Sequence, residues 1–185
     1  HSKIPADISV SIKDKSIDAV LICSPTSFHS KQIIFAAKHK KDIFCEKPVD
    51  LSLEKTIEVL NIINKNKVKF MIGFNRRFDP DFIKVKKMVD EGKIGKVQTI
   101  KITSRDPNPP SIDYIKNSGG LFIDMTIHDF DMACNIANSE VNEVFTSVNT
   151  INKKIKKAGD IDTALTTLKF ENNIICSIDN SRKSV

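Results

Sequence analysis

The sequence predicts an α/β fold: a doubly wound parallel sheet followed, from about Asn75, by an α+β part with a largely antiparallel, open sheet. Three short apolar runs (17–23, 42–45 and 69–73) are separated by two segments of helical period, with brief connections. That alternation is the signature of strand–helix–strand–helix–strand. After Arg77 the pattern changes to longer alternating runs and turn residues, as expected of paired antiparallel strands. The division expected from this change is 1–74 and 75–185.

Each element has its own warrant. Residues 17–23 (Ile-Asp-Ala-Val-Leu-Ile-Cys) are nearly all apolar, which predicts a strand buried on both faces. Ser24-Pro25-Thr26 breaks the run, and 28–40 then reads as a helix with Ile33, Ile34, Ala36 and Ala37 inward. Residues 42–45 form the second strand. Residues 51–67 form the second helix, capped by Ser52, with Ile57, Leu60, Ile63 and Asn64 advancing at helical spacing. Residues 69–73 (Lys-Phe-Met-Ile-Gly) are a third buried strand.

Asp79-Pro80 supplies an N-cap and a proline at the first helical position, opening a helix striped by Phe82, Val85, Met88 and Val89 that Gly92 or Gly95 stops. Residues 97–104 alternate as a half-buried strand. Pro107, Pro109 and Pro110 mark an irregular loop, and Ser118-Gly119-Gly120 leads into a helix from about Leu121 to Ala137. Residues 143–151, 163–170 and 174–179 are expected antiparallel strands. Glu171-Asn172-Asn173-Ile174 makes a tight hairpin between the last two, because asparagine tolerates positive φ.

Composition narrows the function. The net charge is +6, carried by 25 Lys and 4 Arg mixed with acidic residues along helix faces. Only Lys153-Lys154-Ile155-Lys156-Lys157 forms a block, with no aromatic platform beside it, so it reads as a solvated lysine loop and no nucleic acid is expected as a partner. There is no run of about 18 apolar residues, so no membrane is expected. No signal peptide is visible, although the chain opens at His1 rather than Met, and the cytoplasm is the expected setting. Cys23, Cys45, Cys134 and Cys176 show no C-x-x-C spacing, which argues against a disulfide framework or structural zinc. Cys23, Cys45 and Cys176 lie in apolar runs and read as small core residues; a nucleophilic Cys45 beside Lys47 is the alternative.

In an open α/β sheet, ligands bind outside the carboxyl ends of the strands. Here those ends carry Ser24-Pro25-Thr26, Glu46-Lys47-Pro48 and Phe74-Asn75-Arg76-Arg77, all polar and two of them cationic. Farther along, Asp124 and His128 stand at i and i+4 on the predicted helix, on one side of it. A carboxylate beside an imidazole sets its tautomer and raises its basicity, as a general base requires. Asp131 shares that face and raises a metal alternative, but with no further histidine nearby no metal is expected.

With these residues in place, the chain resembles the Gfo/Idh/MocA oxidoreductases. The resemblance rests on Cys23-Ser24-Pro25-Thr26 with His29, on Phe44-Cys45-Glu46-Lys47-Pro48 and on Gly73-Phe74-Asn75-Arg76-Arg77-Phe78. It continues through Gly119-Gly120-Leu121-Phe122-Ile123-Asp124-Met125-Thr126-Ile127-His128-Asp129 and Gly159-Asp160-Ile161-Asp162-Thr163-Ala164, and it is strongest toward the inositol 2-dehydrogenase branch.

The resemblance implies a partial Rossmann-type sheet binding NAD, with NADP the open alternative, and a second part whose open sheet serves a homo-oligomer, dimer or tetramer. It implies oxidation of a secondary alcohol of a cyclitol or sugar to a ketone. The runners-up are a related sugar or trans-dihydrodiol dehydrogenase and a non-catalytic binding or assembly homologue. By motif, Lys47, Asp124 and His128 would be catalytic: His128 takes the hydroxyl proton, Asp124 orients it, and Lys47 stabilises the reacting oxygen. Ser24, Pro25, Thr26, His29, Glu46, Lys47 and Asn75 would line the cofactor, and Arg76 and Asp106 would meet substrate hydroxyls. The sequence departs from the family at its ends. No G-x-G-x-x-G occurs, and the tyrosine-bearing segment of the inositol branch would follow Val185, so the chain is expected to be an internal piece of a longer protein that binds dinucleotide poorly by itself and is inactive alone.

Overall fold

A computed structural model describes residues 12–183. The chain divides into two units, His1–Gly73 and Phe74–Val185.

In the first unit, β1 (Ala19–Ile22), β2 (Asp42–Cys45) and β3 (Phe70–Ile72) form a parallel sheet in sequential order. Helix α1 (His29–Lys38) joins β1 to β2, and α2 (Leu53–Asn66) joins β2 to β3. Right-handed crossovers between sequentially ordered strands put both helices on the same face. The core shows this: Ile22, Ile43 and Cys45 pack with Ile33, Ala36 and Ala37 of α1 and with Val59 and Ile63 of α2. The opposite face carries Leu21, Phe44 and Met71 in one register row, with Leu21 68% and Met71 42% exposed. The expectation of strands buried on both faces is therefore corrected. Continuous apolarity marks strands built for two covered faces, and among the described residues only one is covered.

Three further expectations shift. The inward stripe of α2 is Val59 and Ile63, whereas Ile57 and Leu60 are exposed. Ser52 does cap α2, accepting the Lys55 N–H, and left-handed Lys67 ends it. Cys23 is exposed, because β1 ends one residue before it.

In the second unit, α3 (Pro80–Asp90) starts at the Asp79 cap, whose side chain accepts the N–H groups of Asp81 and Phe82. The four-stranded sheet runs β4 (Thr99–Arg105), β7 (Ile175–Ser181), β6 (Thr163–Phe170), β5 (Val141–Asn149). The β5–β6 and β6–β7 pairings are antiparallel and β4–β7 is parallel, so the sheet is mixed, mostly antiparallel. Asn173, at φ 66°, makes the β6–β7 hairpin turn as its residue type suggested.

One face of this sheet (Ile100, Leu168, Phe170, Cys176 and Ile178) packs under α5 (Ile127–Ala137) through Ala133 and Ala137. A short α4 (Ile112–Ser118), capped by Ser111 and closed by left-handed Gly119, was not expected; the prolines before it masked the cap and the Ile112/Ile115 spacing. The lysine block is likewise helical: α6 (Lys153–Lys157) buries Ile155 and turns its lysines outward. No helix among the described residues is long and apolar enough to cross a membrane.

Candidate active site

The polar exits of the first sheet are fixed by backbone and side-chain bonds. The Glu46 N–H bonds the Ile22 carbonyl at 2.9 Å, and the Gly73 N–H bonds the Cys45 carbonyl at 2.8 Å, so the ladder carries the three strands just past their ends. A Cβ at Gly73 would stand 3.1 Å from Glu46 Oε2, tighter than ordinary contact, so the Glu46 carboxylate would have to shift to admit it. Ser24 donates its hydroxyl to Gln32 at 2.6 Å, and a 3-10 turn, Thr26–Phe28, leads into α1.

His29 is 1% exposed, with Nδ1 2.8 Å from the Pro48 carbonyl and Nε2 2.7 Å from the Ser24 carbonyl. One buried ring thus ties the first exit to the second. Lys47 is half-buried, and its bond to Pro48 is cis. Cys45 is fully buried, and burial first, then the neighbouring Cys23 and Glu46, pushes its thiol up to about 12. It is a core residue, which disposes of the nucleophile alternative.

In the second unit, Asp124 sits in a π-helical turn, Phe122–Thr126, that runs directly into α5. The single expected α-helix is therefore wound wider at its start, a feature frequent at functional sites. Asp124 Oδ1 accepts the Tyr114 hydroxyl at 2.8 Å, and Oδ2 lies 3.4 Å from Arg182 Nη1. Arg182 Nη2 lies 3.4 Å from Asp160 Oδ2, and Asp160 Oδ1 accepts the Leu121 N–H at 3.1 Å. His128, half-buried on α5, meets Phe74 edge to face, the ring centroids 6.4 Å apart.

Around this pair lies a second network. Asp129, with no exposed surface, accepts Arg76 Nη1 on Oδ1 and Asn180 Nδ2 on Oδ2, the latter at 2.7 Å, and Asn180 in turn accepts the Thr126 hydroxyl at 2.9 Å. Arg76 Nη2 reaches Ser104 Oγ at 3.3 Å. The Asp106 N–H bonds the Ser181 carbonyl at 2.9 Å, and its carboxyl is held above its ordinary range by burial first, then by the charges of Asp124 and Asp129, with Arg182 opposing. Asn75 is exposed in the 3-10 turn Asn75–Phe78. Asp131 is engaged by the Arg77 fork at 2.7–3.0 Å, and no group of three or more side chains that could hold a metal ion occurs among the described residues.

Asp124, His128, Arg76 and Asp106 thus belong to one unit, and Ser24, Pro25, Thr26, His29, Glu46 and Lys47 to the other. Tyr114, Asp160, Asn180 and Arg182 were not anticipated. The available signal was arginine itself: in a chain with 25 Lys and 4 Arg, every arginine pairs with an aspartate.

A family model described as GFO/IDH/MocA C-terminal domain matches residues 82–185, and one described as an oxidoreductase family with an NAD-binding Rossmann fold matches 5–74. An uncharacterized oxidoreductase of Bacillus subtilis is 52% identical over 183 residues, covering 98% of this chain and 54% of its own length. The myo-inositol 2-dehydrogenase of Thermotoga maritima is 50% identical over 175 residues, covering 94% and 52%. The solved scyllo-inositol dehydrogenase of Lactobacillus casei with bound NAD(H) and scyllo-inositol matches with a TM-score of 0.86 at 33% identity, over 97% of this chain and 55% of that one. The chain spans about half the length of the relatives it matches. Two family models in order along nearly the whole chain lead to one assignment: the chain belongs to the GFO/IDH/MocA oxidoreductase family.

Proposed function

We propose that the full-length protein is an NAD-dependent dehydrogenase that oxidises a secondary alcohol of a cyclitol, an inositol in the first instance, to the ketone. The observation that carries this reading is the acceptor-rich cluster of the second unit. Asp106, Asp124 and Asp160, each partly exposed, stand near the guanidinium of Arg182. Such a surplus of carboxylate acceptors suits a neutral ligand bearing many hydroxyl donors. The Thermotoga maritima relative and the Lactobacillus casei complex, named for inositol chemistry, support the same substrate class.

Three parallel strands ending in polar exits, with Gly73 kept small against Glu46, suit a dinucleotide. Ser24, Pro25, Thr26, Glu46, Lys47 and Asn75 would hold it, with His29 acting through the two loops it joins. NAD, when bound, supplies the hydride acceptor. His128 takes the hydroxyl proton, Asp124 orients the imidazole and stabilises its charged form, and the Lys47 ammonium donates to the substrate oxygen as the carbonyl develops. Arg76 and Asp106 address the remaining hydroxyls, one as donor and one as acceptor.

Assembly as a homo-oligomer through a second copy belongs to this reading, supported by the exposed face of the mixed sheet, where Phe145, Leu165 and Ile175 are 71%, 55% and 48% exposed. A cytoplasmic setting belongs to it too, supported by four free thiols.

The test is turnover of a cyclitol and aldose panel, followed by absorbance of reduced nicotinamide. An inositol should be oxidised, and Lys47→Ala and His128→Ala should each lower kcat about 10²–10⁴-fold, the usual contribution of a positioned acid–base group. NAD binding without oxidation of any polyol, or near-normal turnover in either variant, would overturn it.

A further inference from the structure

Arg182 is 1% exposed at the end of β7, and its backbone N–H bonds the Asp162 carbonyl at 2.8 Å. Its two terminal nitrogens each lie 3.4 Å from a carboxylate, Nη1 from Asp124 and Nη2 from Asp160, while its Nε–H has no acceptor among the described residues. Both contacts serve one segment. Asp124 is in the π-helical turn itself, and Asp160 receives the N–H of Leu121, the residue that opens that turn. Gly120 allows this approach, since a Cβ there would stand 2.6 Å from Asp160 Oδ1.

The Asp160–Asp162 stretch is itself anchored. Asp162 Oδ2 accepts the N–H groups of Ile151 and Asn152 at 2.9 and 2.7 Å. A buried cation is weak evidence for stability, because an apolar residue of similar volume often does as well. A donor left without an acceptor adds about 1–3 kcal/mol to that burden. What the guanidinium does contribute is geometry: a planar fork spanning two carboxylates, which a lysine cannot reproduce.

We infer that Arg182 is a positioning residue for Asp124, fixing the carboxylate and the turn that carries it so that the imidazole of His128 is presented in one orientation. Tyr114, on the other carboxylate oxygen, completes the clamp. The inference rests on the catalytic roles of Asp124 and His128 proposed above.

The experiment uses the full-length protein with NAD and the inositol that it oxidises. For Arg182→Gln and Arg182→Lys, kcat, KM for both substrates and thermal midpoint are measured, alone and combined with Asp124→Asn. Arg182→Gln should lower kcat about tenfold or more with KM for NAD nearly unchanged, and Arg182→Lys should recover only part of the loss. In the Asp124→Asn background, Arg182→Gln should lower kcat little further, because both changes act through one carboxylate. If neither Arg182 variant folds, Asp160→Asn takes their place and should lower kcat severalfold. A lowered midpoint with unchanged kcat per folded enzyme, or full additivity with Asp124→Asn, overturns the inference. Should Asp124→Asn itself retain full kcat, the catalytic reading of Asp124 fails; should it lose kcat while the Arg182 and Asp160 variants do not, only the present inference fails.

Discussion

Tyr114 donates its hydroxyl to Asp124 Oδ1 over 2.8 Å, joining the short helix α4 to the π-helical turn. Burial first, then the bond to the carboxylate, pushes the phenol from its ordinary value up to about 12. A group whose folded pKa is raised contributes stability below its unfolded pKa and loses it as pH climbs through the folded one. The Tyr114 contribution should therefore be intact below about pH 10 and fade toward pH 12. A difference titration of phenolate absorbance, wild type minus Tyr114→Phe, should show this ionisation displaced to higher pH than in the unfolded protein. An ordinary tyrosine titration would remove the bond from consideration.

Gly120 and Gly92 separate two costs that usually travel together. Both have positive φ, 78° and 68°, but a Cβ at Gly120 would collide with Asp160 Oδ1 at 2.6 Å, and one at Gly92 would meet nothing within 4 Å. Gly92→Ala should cost about 1–2 kcal/mol, the left-handed penalty alone. Gly120→Ala should cost that plus about 1 kcal/mol or more from the displaced Asp160–Leu121 bond. Urea midpoints of the two variants give the comparison directly, and equal shifts would count against the Asp160 contact.

Much of the fold was legible because local chemistry decided it. Ser52 and Asp79 cap where their side chains say they should, Asn173 turns the hairpin, and β2 occupies the residues its apolar run marked. Other features depend on long-range partners that no local pattern encodes. Leu21 is as apolar as Ile22, yet one is 68% exposed and the other 1%, because exposure follows the placement of helices around the sheet. The site divides in the same way. Motif residues such as Lys47 and His128 could be named from sequence, but the clamp on Asp124 joins residues 10, 36 and 58 positions away, and only the return of β7 to the π-helical turn creates it. The π-helical winding was invisible for the same reason, since Leu121–Ala137 has the apolar content of an ordinary buried helix.

Asp129 is the most enclosed carboxylate of the second unit, holding Arg76 on one oxygen and Asn180 on the other. Breaking a buried ion pair costs about 3–5 kcal/mol, an upper range here because Arg76 is 27% exposed and Asp129 alone is fully buried. Asp129→Ala should lower unfolding stability by an amount up to that range, and Asn180→Ala by about 1–2 kcal/mol, the scale of a hydrogen bond to a charged group. Chemical denaturation measures both. If Asp129→Ala is nearly neutral, Arg76 is satisfied elsewhere and its link to α5 is not a structural necessity.

His29 offers the sharpest test of how the cofactor side is held. Its two ring nitrogens reach the carbonyls of Ser24 and Pro48, so one side chain bridges those two loops. Carbonyls only accept, so the ring nitrogen that carries a proton donates to the carbonyl it faces, the roles of the two nitrogens following the tautomer. Replacing the ring by Phe keeps volume but removes both polar contacts and leaves a carbonyl oxygen without its donor, at about 1–3 kcal/mol. His29→Phe should therefore lower the denaturation midpoint and, in the full-length protein, raise KM for NAD severalfold with kcat at saturating NAD little changed, because the loops rather than the reacting groups are loosened. His29→Gln, which can still donate to one carbonyl, should fall between wild type and His29→Phe in both measures. A fall in kcat with unchanged KM would instead place His29 in the chemistry, and no change in either would mean that the two exits are held without it.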